Sequence, residues 1–309
     1  LFAHHCSFMQ IKSINNLVEL FFIQYEKQDK NKIFLNSLRD LNNKYSWHDT
    51  FLNIIKLSKE ISKYINKGDR CLLISENRPE WMITDLSIML ANGITVPTYT
   101  TYVERDYEYI IDDCTPSIIF ISGSKQYEKI KNIISKKNFI KKIISFDYIE
   151  NSNINFCIDL KKILNSYENI NTEIPKLETS RSDPACIIYT SGTQGNPKGV
   201  VLSHGGILNN CEGGFELLKP LLSDETRFLT WLPLSHSYEH TVQFIQIAVA
   251  GKVFYAESID KLIKNMSDCS PQIMTAVPRF YQNLYQKINA NFNKAIGLKK
   301  ALINKTVFL

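Results

Sequence analysis

The sequence of 309 residues predicts an α/β fold with largely parallel sheets. Short segments rich in Ile, Val, Leu and Phe alternate with amphipathic segments of helical periodicity along most of the chain. The composition, with 44% hydrophobic and 22% charged residues, is that of a globular protein. A chain of this length is long enough for about two domains.

Two helices are predicted near the start of the chain. Ser13 is the expected cap of the first helix. Ser46, followed three residues later by Asp49, resembles a capping box at the start of the second, with Gly68 as its expected stop. The apolar residues that these helices should bury are Leu17, Leu20 and Phe21 in the first and Phe51, Ile54, Ile55 and Leu57 in the second.

Strands and helices are then expected to alternate. The predicted strands of the first half are 70–75, 95–97, 117–122 and 142–146, and the predicted helices are 80–91, 104–113 and 126–137. In the second half, the predicted strands are 185–189, 200–202, 227–232, 253–255 and 273–276. The predicted helices there are one that begins at His204 and 238–250, 260–266 and 279–288. This alternation is the pattern of βαβ units.

The middle of the chain changes in composition. Residues 151–182 are mostly polar. Within them, one or two helical turns are predicted at 160–164. We interpret 171–182 as a linker between a first α/β subdomain, 13–170, and a second, 183–309. Residues 1–12 are expected to be a disordered N-terminus, in which the two adjacent histidines are not a metal site.

Cysteine usage and charge limit the class of protein. The seven cysteines are dispersed without a C-x-x-C pair, which argues against a disulfide framework or a zinc site and favours a reducing cytoplasmic setting. No apolar run approaches the ~20 residues that span a bilayer. The net charge is +5, with a lysine-rich patch at 125–142 that we interpret as a solvated helix face. Peripheral contact with a membrane is the retained alternative, and no nucleic-acid partner is expected.

The segment 189–204 concentrates hydroxyl groups, glycines and one lysine between two predicted strands. Hydroxyl and backbone N–H groups donate hydrogen bonds to phosphate oxygens, and glycine allows a close approach of the backbone. A plain surface turn is the alternative, but it does not explain Lys198 or the strand that follows. The candidate residues of a polyphosphate-binding loop are Thr190, Ser191, Gly192, Thr193, Gln194, Gly195 and Lys198.

Two common phosphate-binding patterns do not fit this segment. Counting G-x-x-x-x-G-K-[ST] from Gly192 places Pro197 at the second glycine and Gly199 at the hydroxyl position that binds magnesium. The dinucleotide pattern G-x-G-x-x-G has no match in the segment. A P-loop kinase or ATPase is therefore disfavoured.

His236 is the second candidate functional residue. It follows a predicted strand in the segment Leu-Pro-Leu-Ser-His-Ser-Tyr-Glu-His, residues 232–240. Parallel α/β sheets place ligands at such strand ends, and an imidazole N–H can donate to a carboxylate. Without further context a lone loop histidine is more often structural.

The segment 189–204 resembles the phosphate loop of the AMP-forming acyl-adenylate synthetases, [ST]-S-G-T-T-G-x-P-K-G followed by a short strand and S/T-H, with Gln194 as the one departure. The resemblance implies the layered αβαβα N-terminal domain of that superfamily, built from two parallel-sheet α/β subdomains and incomplete here at its C-terminus. It also implies that the loop holds the β- and γ-phosphates of ATP, and that His236 lines the acyl-carboxylate pocket and orients the carboxylate.

Three further segments resemble the long-chain fatty-acyl-CoA synthetases. They are Tyr238-Glu239-His240, Val277 to Tyr281, and residues 73–102, which include Asn77-Arg78-Pro79-Glu80-Trp81. The resemblance implies a ligase that converts a fatty acid and ATP, with Mg²⁺, to acyl-AMP and then to a thioester with coenzyme A. We assign Arg279 to an ion pair within the protein, with ligand contact as the alternative, and 77–81 to helix entry and packing.

Several motifs of that family are not found in the sequence. The Tyr-Gly-x-Thr-Glu motif, whose Glu binds magnesium, does not occur before Leu309, and neither do the ribose-binding Asp and the C-terminal domain. We therefore expect a fragment without its own metal ligand and with little or no adenylating activity alone. Two alternatives stay open: a non-catalytic nucleotide-binding or interaction module, and an adenylating ligase for another carboxylic acid.

Overall fold

The computed structural model describes residues 10–150, 156–167, 170–190, 196–223, 225–294, 296, 297, 300 and 305. The chain divides into two compact units, residues 1–273 and 274–309. Of the predicted phosphate-loop residues, Ser191, Gly192, Thr193, Gln194 and Gly195 lie outside the described residues.

The strands are numbered in chain order. They are β1 (Ile33–Ser37), β2 (Lys44–Ser46), β3 (Arg70–Ile74), β4 (Ile94–Thr98), β5 (Ile118–Ile121), β6 (Lys142–Ser145), β7 (Cys157–Asp159), β8 (Pro184–Thr190), β9 (Lys198–Ser203), β10 (Arg227–Thr230), β11 (Lys252–Tyr255) and β12 (Ile273–Met274). The α-helices are α1 (Leu17–Lys27), α2 (Trp47–Ile61), α3 (Pro79–Leu90), α4 (Glu104–Cys114), α5 (Ser124–Ile134), α6 (Leu160–Ser166), α7 (His204–Leu218), α8 (Ser237–Ala248), α9 (Leu262–Cys269) and α10 (Pro278–Asn293).

The strands form two sheets. A seven-stranded sheet has the order β7-β6-β5-β3-β4-β8-β9, and a five-stranded sheet has the order β12-β10-β11-β1-β2. The pairs β8/β9 and β1/β2 are antiparallel, whereas β3/β4, β3/β5, β4/β8, β5/β6, β6/β7, β1/β11 and β10/β11 are parallel. The predicted α/β fold with largely parallel sheets is confirmed.

The central strands are buried on both faces, which explains their continuous apolar runs. All four residues of β5, Ile-Ile-Phe-Ile, are buried. One face of the seven-stranded sheet shares a core with α4 and α5. A second core lies on the other face of that sheet. It contains residues of helices α1, α2, α3, α7 and α8 and of strands β1 and β11. The first unit therefore has the layer order helix, sheet, helix, sheet.

Each sheet takes strands from both sides of residues 171–182. Strands β8 and β9, which follow that segment, complete the sheet begun by β3 to β7. In the other sheet β1, which pairs with β2 on one side, pairs on its other side with β11 more than 200 residues later. The predicted division into 13–170 and 183–309 with a linker at 171–182 stays a prediction. Among the described residues, no helix combines the length and the apolar character that crossing a membrane requires.

The helix caps confirm one prediction and correct two. The capping box at Ser46 and Asp49 is present, with Ser46 Oγ accepting from Asp49 N at 3.0 Å. The cap of α1 is Asn16, not Ser13, because Ser13 ends a 3₁₀ turn and donates its hydroxyl to Gln10 O. Gly68 is not the stop of α2, which ends at Ile61; it adopts a φ of +85° in the turn that leads into β3.

Candidate functional site

The phosphate-loop segment connects two antiparallel strands. Thr190, the last residue of β8, pairs directly with Lys198, the first residue of β9, and both side chains are exposed. A Walker loop leads from a strand into a helix, so the strand–loop–strand connection excludes that class independently of the sequence pattern. Thr190 and Lys198 are therefore cross-strand neighbours at the base of the loop, with their side chains on the same face of the sheet.

Tyr189 anchors this base to the neighbouring helix. Its ring is buried, and its hydroxyl donates a hydrogen bond to Asp113 Oδ2 at the end of α4. Burial, and next the bond to Asp113, raise the pKa of Tyr189 above its ordinary value, so the hydroxyl keeps its proton. The residue opposite Tyr189 on β9 is Gly199, where a Cβ would lie 3.2 Å from Tyr189 Cζ and 2.8 Å from Ile187 Cγ2. Glycine is thus needed here for packing rather than for φ.

His204 follows β9 as the first residue of α7 and is a structural residue. Its Nδ1 accepts a hydrogen bond from Leu17 N at 3.3 Å, which joins the starts of α7 and α1. Burial lowers the pKa of His204 to about 4, so the ring is neutral near neutral pH. Ser203 caps the helix by accepting from Gly206 N at 3.1 Å. The Ser-His pair of the motif therefore fixes the helix that follows the loop.

His236 lies exposed at the start of α8, as its N-cap residue. Its backbone N–H donates to Pro233 O at 3.0 Å, which closes a turn after β10. Ring atom Nδ1 accepts a hydrogen bond from Tyr238 N at 3.2 Å. Because Nδ1 is the acceptor, the neutral ring carries its proton on Nε2. This Nε2–H can donate a hydrogen bond to a carboxylate.

Asn77 was predicted to serve helix entry and packing, and the structure adds that it contacts the His236 turn. Its Nδ2 donates to Leu232 O at 2.6 Å, and its Oδ1 accepts from Leu234 N at 3.1 Å. Asn77 follows β3, whose carboxyl end lies at the same edge of the seven-stranded sheet as that of β8, since β3, β4 and β8 are parallel. The His236 turn is therefore held at the edge where the phosphate-loop segment begins.

A buried ion pair holds the first turns of α8. His240 Nε2 lies 2.7 Å from Asp85 Oδ2 on α3, and Gln243 Nε2 donates to the same oxygen at 2.9 Å. Burial alone would lower the pKa of His240, but the facing Asp85 carboxylate overrides it and raises the pKa to about 10. The Trp81 ring packs edge-on against His240 at 5.2 Å. His240 thus acts inside the core, not in a ligand pocket.

Arg279 belongs to the second unit, at the first turn of α10. The side chain is exposed. Among the described residues it makes no ion pair, so the partner expected from its position beside a helix N-terminus is not found there.

A family model for the AMP-binding enzymes matches residues 22–303, which include both β8–β9 and the His236 turn. The chain belongs to the AMP-binding enzyme family. Fatty acyl-CoA synthetase A of Dictyostelium discoideum is 29% identical over 247 residues, covering 78% of this chain and 36% of the relative. Long chain acyl-CoA synthetase 3 of Arabidopsis thaliana is 30% identical over 280 residues, covering 84% and 41%. The chain thus spans about two fifths of the curated relatives.

Solved structures of other proteins show the same fold as this chain. The luciferase-like enzyme of Zophobas morio has a TM-score of 0.74 at 17% identity, covering 88% of this chain and 62% of that one. Apo MatB of Rhodopseudomonas palustris has a TM-score of 0.70 at 20% identity, covering 88% and 51%. At these identities the likeness concerns the fold alone, and the predicted fold of the adenylate-forming enzymes is confirmed.

Proposed function

We propose that this chain is the part of a long-chain fatty-acyl-CoA synthetase that binds the ATP phosphates and the acyl carboxylate. The observation that carries the proposal is the pairing of Thr190 and Lys198 at the base of the phosphate-loop segment in a chain of the AMP-binding enzyme family. The similarity to acyl-CoA synthetases of Dictyostelium and Arabidopsis supports a fatty acid as the substrate.

The proposed reaction has two steps. A carboxylate oxygen of the fatty acid attacks the α-phosphorus of ATP, the bond from that phosphorus to the bridging oxygen of the β-phosphate breaks, and pyrophosphate leaves. The thiolate of coenzyme A then attacks the acyl carbonyl carbon, and AMP leaves with the electrons of the carbon–oxygen bond. Magnesium enters as part of the Mg-ATP substrate.

The residues of this chain bind and orient. Lys198 offsets charge on the departing pyrophosphate, and the hydroxyl of Thr190 donates to a phosphate oxygen. Ser191, Gly192, Thr193, Gln194 and Gly195 complete the loop. His236 donates a hydrogen bond from its Nε2–H to one oxygen of the acyl carboxylate, which stays ionised, and so aims the other oxygen at the α-phosphorus.

The magnesium ligand and the group that promotes adenylation are proposed to lie outside this chain. Within the described ranges, no three His, Cys, Asp or Glu side chains are grouped as a metal site would need. The Tyr-Gly-x-Thr-Glu motif is also absent from the sequence. We propose that this chain binds ATP and the fatty acid, and that turnover also needs the groups that the Tyr-Gly-x-Thr-Glu motif supplies in the family.

Pyrophosphate titration of the chain tests the phosphate site. Replacing Lys198 with Met should weaken pyrophosphate binding about tenfold, since one close charge–charge contact is lost. Lys44→Met is the matched control, because Lys44 is also exposed and also the first residue of an antiparallel edge strand. Equal loss in both variants, or no binding by the unmodified chain, would contradict the proposal.

Substrate choice is tested in a protein that joins this chain to a segment with the Tyr-Gly-x-Thr-Glu motif. Pyrophosphate release measured over a series of acids should be fastest with long-chain fatty acids. A preference for acetate or for an aromatic acid would assign the chain to another branch of the AMP-binding enzymes.

A further inference from the structure

Asn77 contacts the backbone of the His236 turn at two points. Its side-chain amide donates to Leu232 O at 2.6 Å and accepts from Leu234 N at 3.1 Å, and Pro233 between these residues has no N–H. One side chain therefore satisfies both polar groups that an adjacent strand would otherwise bind. Leu232 and Leu234 are buried on either side of the exposed Pro233.

The position of His236 follows from this contact. His236 is two residues beyond Leu234, and its N–H donates back to Pro233 O. Its ring is oriented by Tyr238 N, which belongs to the same backbone segment. Because the ring is bonded only to this local backbone among the described contacts, a shift of the turn moves Nε2 with it.

The other end of the turn is already fixed by the core. The buried pair of His240 and Asp85 holds α8 one helical turn after His236. Asn77, which precedes α3, holds the opposite end. The segment 232–240 is therefore attached at its start to Asn77 and at its end to Asp85 of α3. The amide of asparagine offers a donor and an acceptor on two separate atoms, which matches the N–H and the C=O that it contacts here.

We propose that Asn77 is a positioning residue for the acyl carboxylate, acting through His236. This inference rests on the proposed function, since it assumes that His236 binds the carboxylate. The amide of Asn77 does not touch the substrate. Its role is to hold the turn so that the Nε2 proton of His236 points at the carboxylate.

The test compares carboxylate and pyrophosphate binding in Asn77→Asp. This change keeps the acceptor but removes the donor and places a carboxylate against Leu232 O. We expect decanoate to bind the variant about tenfold more weakly, with a reduced decanoate-induced NMR shift of the His236 ring. Pyrophosphate affinity should be unchanged, because the phosphate-loop strands do not depend on Asn77.

Asn36→Asp is the matched control. Asn36 is also half-buried and also donates its Nδ2 to a backbone carbonyl, that of Val253 at 3.2 Å. It should leave both affinities unchanged. If Asn77→Asp does not fold, as judged by circular dichroism, Asn77→Ser should show an intermediate loss of decanoate binding, because a hydroxyl keeps part of the contact.

The outcomes separate the inference from the function on which it rests. If decanoate does not shift His236 in the unmodified chain, the carboxylate role of His236 is wrong. If the shift occurs and Asn77→Asp binds decanoate as the unmodified chain does, only the positioning role is wrong. Equal weakening of decanoate and pyrophosphate binding would show a general loss of structure and would also overturn the positioning role.

Discussion

Replacing Asp85 with Asn should remove a specific part of the pH dependence of stability. Asp85 is fully buried, and its Oδ2 accepts from both His240 Nε2 at 2.7 Å and Gln243 Nε2 at 2.9 Å. The amide variant has nearly the same shape and can still accept one hydrogen bond. What it lacks is the negative charge that keeps His240 protonated.

The magnitude follows from the pKa of His240, which Asp85 raises to about 10 against the lowering effect of burial. In the unfolded chain a histidine has a pKa of roughly 6.5. Above that pH the unfolded state loses a proton that the folded state keeps, so the free energy of unfolding falls by about 1.4 kcal/mol per pH unit. The stabilisation is complete below roughly pH 6.5 and decreases as the pH rises towards 10.

From pH 6.5 to 8.5 the unmodified protein should therefore lose up to about 2.7 kcal/mol through His240. In Asp85→Asn the main effect that keeps His240 protonated is removed, while burial, which favours the neutral ring, and the smaller effect of Cys186, which raises the pKa, remain. Most of this loss should therefore disappear. At pH 6.5 the variant should be less stable by about 2 kcal/mol, less than for an unpaired buried charge because His240 can release its proton.

Urea unfolding followed by circular dichroism at pH 6.5, 7.5 and 8.5 measures this loss. The range stops at 8.5 because burial raises the pKa of Cys71 and of Cys211, and thiols of the unfolded chain ionise above that pH. Asp268→Asn, which removes an exposed carboxylate paired with Lys264, should keep the full pH dependence. A decline in Asp85→Asn as steep as in the unmodified protein would refute a charged His240.

Two further predictions concern stability near the phosphate-loop strands. His204→Asn should remove a pH dependence of stability in the opposite direction. Because burial lowers the pKa of His204 to about 4, the free energy of unfolding of the unmodified protein should fall by about 2 kcal/mol between pH 6.5 and 5.0. Urea unfolding of the variant over the same pH range should not show this fall. Gly199→Ala should lower the free energy of unfolding by about 1–3 kcal/mol, because the new methyl would lie 2.8 Å from Ile187 Cγ2. The control is Gly213→Ala in α7, where an added Cβ would have nothing within 4 Å, and it should be neutral or stabilising by up to about 1 kcal/mol. Equal changes in the free energy of unfolding for the two variants, measured in urea, would contradict the packing argument.

Much of the fold could be predicted because its signals are local. Helix α2 was predicted from an apolar repeat and a capping box, and both are present. Strand β1 was not predicted, since Ile33–Ser37 is short and its partner β11 begins more than 200 residues later. Strand β2 was missed for a different reason: it has only three residues, of which Lys44 is exposed. Pairing over such separations leaves no trace in a local pattern.

The candidate site also contains residues that a local motif predicts and residues whose contacts depend on the tertiary fold. Lys198 and Thr190 could be predicted from the composition of one loop, and the structure places them as cross-strand neighbours. The contact of Asn77 with Leu232 joins residues 155 positions apart, and its side chain could equally have capped α3. The sequence of a motif indicates the groups that can meet a ligand, but the residues that hold the motif depend on the tertiary fold.

Helix α3 shows why residues predicted to serve helix entry and packing bear on the site. Each of its first eleven residues, Pro79 to Met89, is buried, so a polar side chain on it is stabilised by protein partners rather than by water. Glu80 accepts from Asn43 beside β2, Asp85 binds His240 on α8, and Ser87 donates to Ile54 O on α2. Together with Asn77 just before it, α3 attaches the His236 turn to both sheets. A change in α3 should therefore alter the position of His236 as well as the stability of the core.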